Sequence, residues 1–260
     1  MPQEKPEVKK ELEKGEWERF AELDAIEAPV DSMGVASFSA DGKFIIGNEG
    51  SDVKVLNSAT GAEVARFKSG VEVSSLVLRR DGTLFIGDGN GDLRFFDVRQ
   101  GQEFKTKFQP LSSITAMTMF GDKVIFAGQD QGIKEFDMAA KEPHMLMSAR
   151  ERISAIAVAP DFRIAYGGKK GVVEVGDPAT KSYDVSIDFQ QGITALTFAP
   201  GGKLVVGLES GAIKILDSRT GEEIKTLEGH LSEILSLAVN EKNQVVSASK
   251  DGSIRTWGTK

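Results

Sequence analysis

Short segments in which apolar and polar residues alternate recur along the chain, at residues 35–38, 73–78, 114–119, 153–158, 193–198 and 234–239. A period of two puts the apolar side chains on one face of a strand. Turn residues follow, as Ala40-Asp41-Gly42, Arg80-Asp81-Gly82, Pro160-Asp161-Phe162 and Pro200-Gly201-Gly202. Gly and Asp supply the left-handed backbone positions of tight hairpins. The next strand carries one small residue each time: Gly47, Gly87, Ala127, Gly167, Gly207 and Ala248. A polar turn then leads to a third strand, and a further turn to a fourth, as at residues 64–67 and 224–227.

The third strands end in Leu56-Asn57, Phe96-Asp97, Phe136-Asp137, Gly176-Asp177, Leu216-Asp217 and Trp257-Gly258, whose first members lie 40, 40, 40, 40 and 41 residues apart. Four short strands per period, without helical periodicity, give one antiparallel sheet per repeat. Such a sheet cannot bury both faces alone. Packing the sheets radially covers them, and closing the ring removes exposed end sheets. A linear solenoid would call for polar capping repeats, which the sequence lacks. The expected fold class is therefore all-β: a single β-propeller of six four-stranded blades.

The last repeat carries Gly229-His230, Ser247-Ala248-Ser249, Asp251-Gly252 and Trp257. These resemble the Gly-His, second-strand Ser/Thr, turn Asp and third-strand Trp of WD40 repeats. The resemblance extends over residues 16–260, although the other repeats lack the His and replace the Trp with Leu, Phe or Gly. It implies that His230, Ser247, Asp251 and Trp257 form a buried structural network, with Ser249 the alternative serine. It also implies an N-terminal strand that completes the last blade. Repeat six ends at Lys260 without a fourth strand, and residues 17–23, Trp-Glu-Arg-Phe-Ala-Glu-Leu, are placed to supply one. Either Trp17/Arg19/Ala21/Leu23 or Glu18/Phe20/Glu22 could be the inward row. Residues 1–14 read as a charged tail and 15–260 as the propeller. A helix over residues 6–14 is too short to hold by itself in water.

Composition narrows the function. The chain has 40% hydrophobic and 27% charged residues, no cysteine, and a formal net charge of −7. Disulfides, thiol catalysis and thiolate zinc sites are excluded. An acidic protein repels phosphate backbones, so no nucleic-acid partner is expected. No run of apolar residues is long enough to insert in a membrane, and residues 1–6 lack a signal-peptide core. An intracellular, soluble, cytoplasmic protein is the expectation.

Candidate chemistry is sparse. Asp88-Gly89-Asn90-Gly91-Asp92 begins like a calcium loop, but Leu93 and Arg99 stand where that loop needs Gly and Glu. A hairpin turn is expected there. Gly87, Gly89 and Gly91 precede a strand rather than a helix, which excludes a phosphate loop. His144 and His230 are the two histidines; His230 belongs to the network above and His144 to an outer strand, so no metal cluster or catalytic triad assembles. No catalytic residue, metal or cofactor is expected.

Turns between second and third strands share one end of the ring with the links between blades. There Arg150, Arg152, Lys169 and Lys170 converge, with Glu151 the one opposing charge, while Glu49, Asp52, Glu72, Asp88 and Asp92 lie on the blades opposite. Loops on a rigid scaffold are where binding concentrates. The expectation is a non-catalytic protein–protein interaction scaffold, a subunit or adaptor of a larger assembly. The four basic residues are candidates to hold an acidic or phosphorylated segment. Ordinary solvated loops are the plainer account of those charges. The alternative function is a propeller hydrolase or lactonase with a channel-bound metal, and a strand donated by a partner is the rival route to ring closure.

Overall fold

The computed structural model describes residues 17, 19–30, 33–39, 42–79, 81–97, 102–103, 113–136, 142–240 and 242–259; the expected tail, residues 1–14, lies outside them. The described strands form six antiparallel sheets of four. In five sheets the strands follow chain order from the innermost outward. In the sixth the order, from the outermost inward, is Phe20–Glu27, Ser253–Thr259, Val245–Ser249, Ile234–Val239. Innermost strands touch in sequence around the ring, and Ala36–Phe38 of blade one closes against Ile234–Val239 of blade six. Across that seam the Phe38 N–H donates to Ser236 Oγ at 3.1 Å. The molecule is a six-bladed β-propeller.

Its core is divided among six apolar clusters, one between each pair of neighbouring blades. The recurrent small residue has its cause here. A Cβ on Gly87 or Gly207 would come within 2.7 Å of Ile114 or Ile234, and one on Gly167 within 2.9 Å of Ile193. Each of these isoleucines opens the next blade's innermost strand and presses into the space the glycine leaves.

The strand completing blade six is Phe20–Glu27, antiparallel to Ser253–Thr259. It starts and ends later than the expected 17–23. Trp17 lies outside the strand, fully buried, with its ring 4.6 Å from that of Phe20. The register shifts between Glu22 and Asp24, so Leu23 bulges. Neither alternating row therefore faces inward along the whole strand. Phe20 joins the cluster between blades five and six, and Ile26 packs on the one between blades six and one. Val64, Leu146, Asp184 and Ile224 bulge in the outermost strands of blades one, three, four and five. Bulges twist an edge strand away from further pairing.

Candidate functional site: the blade-four corner

Blade six sets the reference geometry. Trp257 Nε1 donates to Ser247 Oγ at 2.8 Å, Ser247 Oγ lies 2.7 Å from His230 Nε2, and His230 Nδ1 lies 2.8 Å from Asp251 Oδ2. A neutral imidazole satisfies every group in this chain: Ser247 donates to Nε2, and Nδ1–H donates to the carboxylate. Burial holds His230 below its ordinary pKa against the opposing pull of Asp251. Burial would raise the Asp251 carboxyl, but hydrogen bonds from Ser253, the Leu231 N–H and His230 outweigh it and bring the pKa to about 2. The network fastens the link into blade six to that blade's second and third strands.

Blade four is built differently at the same positions. Tyr166 pairs with Glu174 as Ser247 pairs with Arg255, and Ile164 pairs with Gly176 as Val245 pairs with Trp257. The large residue has moved from the third strand to the second. A Cβ on Gly176 would meet Met147 Cε at 2.9 Å and Tyr183 Cδ1 at 3.0 Å, so neighbouring side chains fill the place that Trp257 fills in blade six. The Tyr166 hydroxyl donates to Glu174 Oε2 and accepts the Arg150 N–H at 3.1 Å. Burial, then the bonds to Glu174 and Tyr183, push this phenol far above its ordinary pKa.

Glu174 also inverts a charge. Arg94, Lys134, Lys214 and Arg255 hold its register position in blades two, three, five and six, and Lys54 holds the repeat position in blade one. Each of those cations has an acidic neighbour: Asp92, Asp130, Glu223, Glu22 and Glu49 respectively. In blade four the carboxylate sits on the strand and the cation on the link. Arg150 Nη1 donates to Glu174 Oε1 at 2.8 Å, and its guanidinium lies 4.7 Å from the centre of the Tyr183 ring. The Arg150 side chain remains 66% exposed. It is an exposed fork held on two sides.

The other three basic residues are exposed, and among the described residues none has a carboxylate within salt-bridge distance. Arg152 and Lys169 flank the paired residues Ile153 and Gly168, which puts the two positions opposite each other at the end of the strand pair. Lys170 follows in the same turn. Glu151, the expected counter-charge, is buried instead, and its Oε2 accepts the Lys170 N–H at 3.1 Å. This arrangement substitutes for a turn cap. In blade two, Asp88 Oδ1 accepts the Asn90 N–H at 2.9 Å, and in blade six Ser249 Oγ accepts the Asp251 N–H at 3.1 Å. Gly168 stands at that place in blade four and has no side chain to do so, and a Cβ there would meet Glu151 Oε2 at 2.9 Å. The carboxylate that could neutralise the corner is turned inward to cap its backbone.

The acidic side expected opposite is weaker than the sequence suggests. Asp88 and Asp92 are buried beside Arg94, and Asp88 Oδ1 accepts both turn N–H groups. The residues at 88–92 form a hairpin turn, with the Gly91 N–H donating to the Asp88 carbonyl at 3.1 Å. Glu49 pairs with Lys54, and Asp52 lies 3.5 Å from Arg66. Glu72 stays exposed. Asp and Glu in tight turns are consumed by local backbone donors and strand cations before they contribute to a surface field.

His144 is exposed on the outermost strand of blade three. The central channel, about 840 Å³, is walled by small, hydroxyl and apolar side chains of the innermost strands. Among the described residues no three His, Asp or Glu gather as a metal site, and no helix is long and apolar enough to cross a membrane.

No curated protein matches the chain's sequence. The family model "WD domain, G-beta repeat" matches residues 221–258, from the outermost strand of blade five through Trp257. The match covers the His230–Ser247–Asp251–Trp257 network of blade six, one of the six four-stranded blades that close the ring. The chain is a six-bladed β-propeller whose last blade matches the WD40 repeat.

Proposed function

We propose that the protein is a non-catalytic interaction scaffold that docks an acidic segment of a partner protein at the blade-four corner. The observation carrying this reading is the trio Arg152, Lys169 and Lys170, exposed on a turn and link without ionic partners among the described residues, while the carboxylate of Glu151, next to Arg152 in the chain, is buried and accepts the Lys170 N–H. Arg150 adds a guanidinium fixed by Glu174 and Tyr183, ready to offer its remaining N–H groups to an oxyanion. Exposed pairs are individually weak, about 0.2–1 kcal/mol, so several must act together, and the rigid ring lowers the cost of holding them in place. A WD40 propeller suits such a role, because its blades hold the loops while the loops carry the recognition.

The test is affinity capture from the native source, comparing the wild type with the double variant Arg152→Glu/Lys169→Glu. The variant should lose the specific partner and the salt sensitivity of its capture while keeping its melting temperature. Equal capture by both proteins would place the docking surface elsewhere.

A further inference from the structure

Lys169 and Glu209 are equivalent residues, each the first after the second strand of its blade, and both line the same mouth of the central channel. One link separates them. The Phe189 N–H donates to the Gly171 carbonyl at 2.8 Å, seating the blade-four turn on the link into blade five. The Glu209 N–H donates to the Gly192 carbonyl at 3.1 Å, and the Glu209 carboxylate lies against Gly192, within 2.4 Å of where a Cβ would stand. Like Arg152 and Lys169, the Glu209 side chain has no ionic partner among the described residues. The mouth therefore carries charge of both signs without ionic partners among the described residues, positive at Lys169 on blade four and negative at Glu209 on blade five.

Resting on the scaffold reading above, we propose that this mouth is a bipolar site for a phosphorylated protein segment. Its phosphomonoester lies against Arg152 and Lys169, and a nearby Lys or Arg of the same segment faces Glu209. Three chemical facts favour this ligand. A carboxylate brings one negative charge, whereas a phosphomonoester brings about −1.5 to −2 and three acceptor oxygens, the better match for two adjacent unpaired cations. Arg supplies fixed parallel donors and Lys a mobile point charge, a pairing suited to a tetrahedral anion. Glu209 repels a second anion at the adjacent place, so a run of acidic residues fits worse than a single anion beside a cation. The same repulsion works against a nucleic acid or an anionic membrane, both of which present continuous negative charge.

The probe is a degenerate peptide library with one fixed central phosphoserine, beside the same library with serine at that place, each passed over the immobilised full chain. The phosphorylated library should be retained about tenfold better, and its bound fraction should be enriched in Lys and Arg beside the phosphoserine. Glu209→Lys should invert that enrichment toward Asp and Glu. Lys169→Glu should abolish the preference for phosphoserine. Equal retention of the two libraries overturns the inference, as does an enrichment that Glu209→Lys leaves unchanged. Binding of anionic vesicles as strongly as the phosphorylated library overturns it too. If the libraries are retained equally but Arg152→Glu/Lys169→Glu still loses the native partner, the phosphate inference fails and the scaffold reading stands. If that double variant keeps both library and partner, both fail.

Discussion

Tyr166 in blade four donates its phenolic proton to Glu174 at the positions where blade six pairs Ser247 with Arg255. Both solutions fill the interior of a blade and fasten the preceding link, one with Trp257 on the third strand and the other with Tyr166 on the second. Tyr166→Phe keeps the ring but leaves Glu174 Oε2 and the Arg150 N–H without their partner. It should cost about 1–3 kcal/mol, the usual penalty for stranding buried polar groups, read as a lower urea midpoint at unchanged m-value. Unaltered stability would show that the phenol is not held as described.

In blade six, Trp257→Ala empties a buried aromatic site and should cost about 3–5 kcal/mol. His230→Ala leaves Ser247 and Asp251 short of a partner and should cost about 1–3 kcal/mol. Leu56→Ala in blade one creates a cavity of about 2–5 kcal/mol with no polar component. The His230 loss should therefore vary with pH and the Leu56 loss should not. A Leu56 penalty that tracks pH would contradict this separation.

The pH dependence has a definite sign. His230 has a folded pKa below its ordinary value of 6.5, so the unfolded chain binds a proton more readily than the folded one. Its contribution is complete above pH 6.5 and falls away as the pH drops through the folded value. Asp251, ordinarily near 3.8 and held at about 2, adds a second loss between those two values. Stability curves should fall in two acid steps, and His230→Gln should remove the upper one. Chemical denaturation at half-unit pH intervals reads both.

Much of the ring is legible in the sequence because the packing that selects residues is repeated six times. Gly87, Gly167 and Gly207 recur because a neighbouring isoleucine needs their space, so one cause leaves several traces. The blade-four corner is only half legible. The positions of Arg152, Lys169 and Lys170 follow from the repeat, but the inward turn of Glu151 does not, because it depends on Gly168 across the hairpin. The Tyr166–Gly176 exchange of large and small residues is visible once registers are known. Without them, Gly176 reads only as a lost Trp. The closing strand is displaced because Trp17, apolar and next to the strand, packs as a plug rather than as its first residue.

Ring closure gives the last prediction. Phe20–Glu27 covers the outer side of Ser253–Thr259 along its length, from Phe20 opposite Thr259 to Glu27 opposite Ser253. Glu22 forms an ion pair with Arg255 across this pairing, and Phe20 seals the cluster that contains Trp257. A chain beginning at Ala28 loses all three contributions at once and exposes a third strand that lacks an outer neighbour. Such an edge is a template for intermolecular pairing, so this chain should aggregate or melt far below the full-length protein. Adding a synthetic peptide of residues 16–28 in excess should restore solubility and raise the melting temperature as its concentration rises, as expected for a ligand that binds only the folded ring. Glu22→Arg combined with Arg255→Glu should stay folded, whereas either reversal alone weakens the seam. If the chain from Ala28 melts with the full-length protein and the peptide has no effect, the ring does not depend on its first strand, and closure rests on the contact of Ala36–Phe38 with Ile234–Val239 alone.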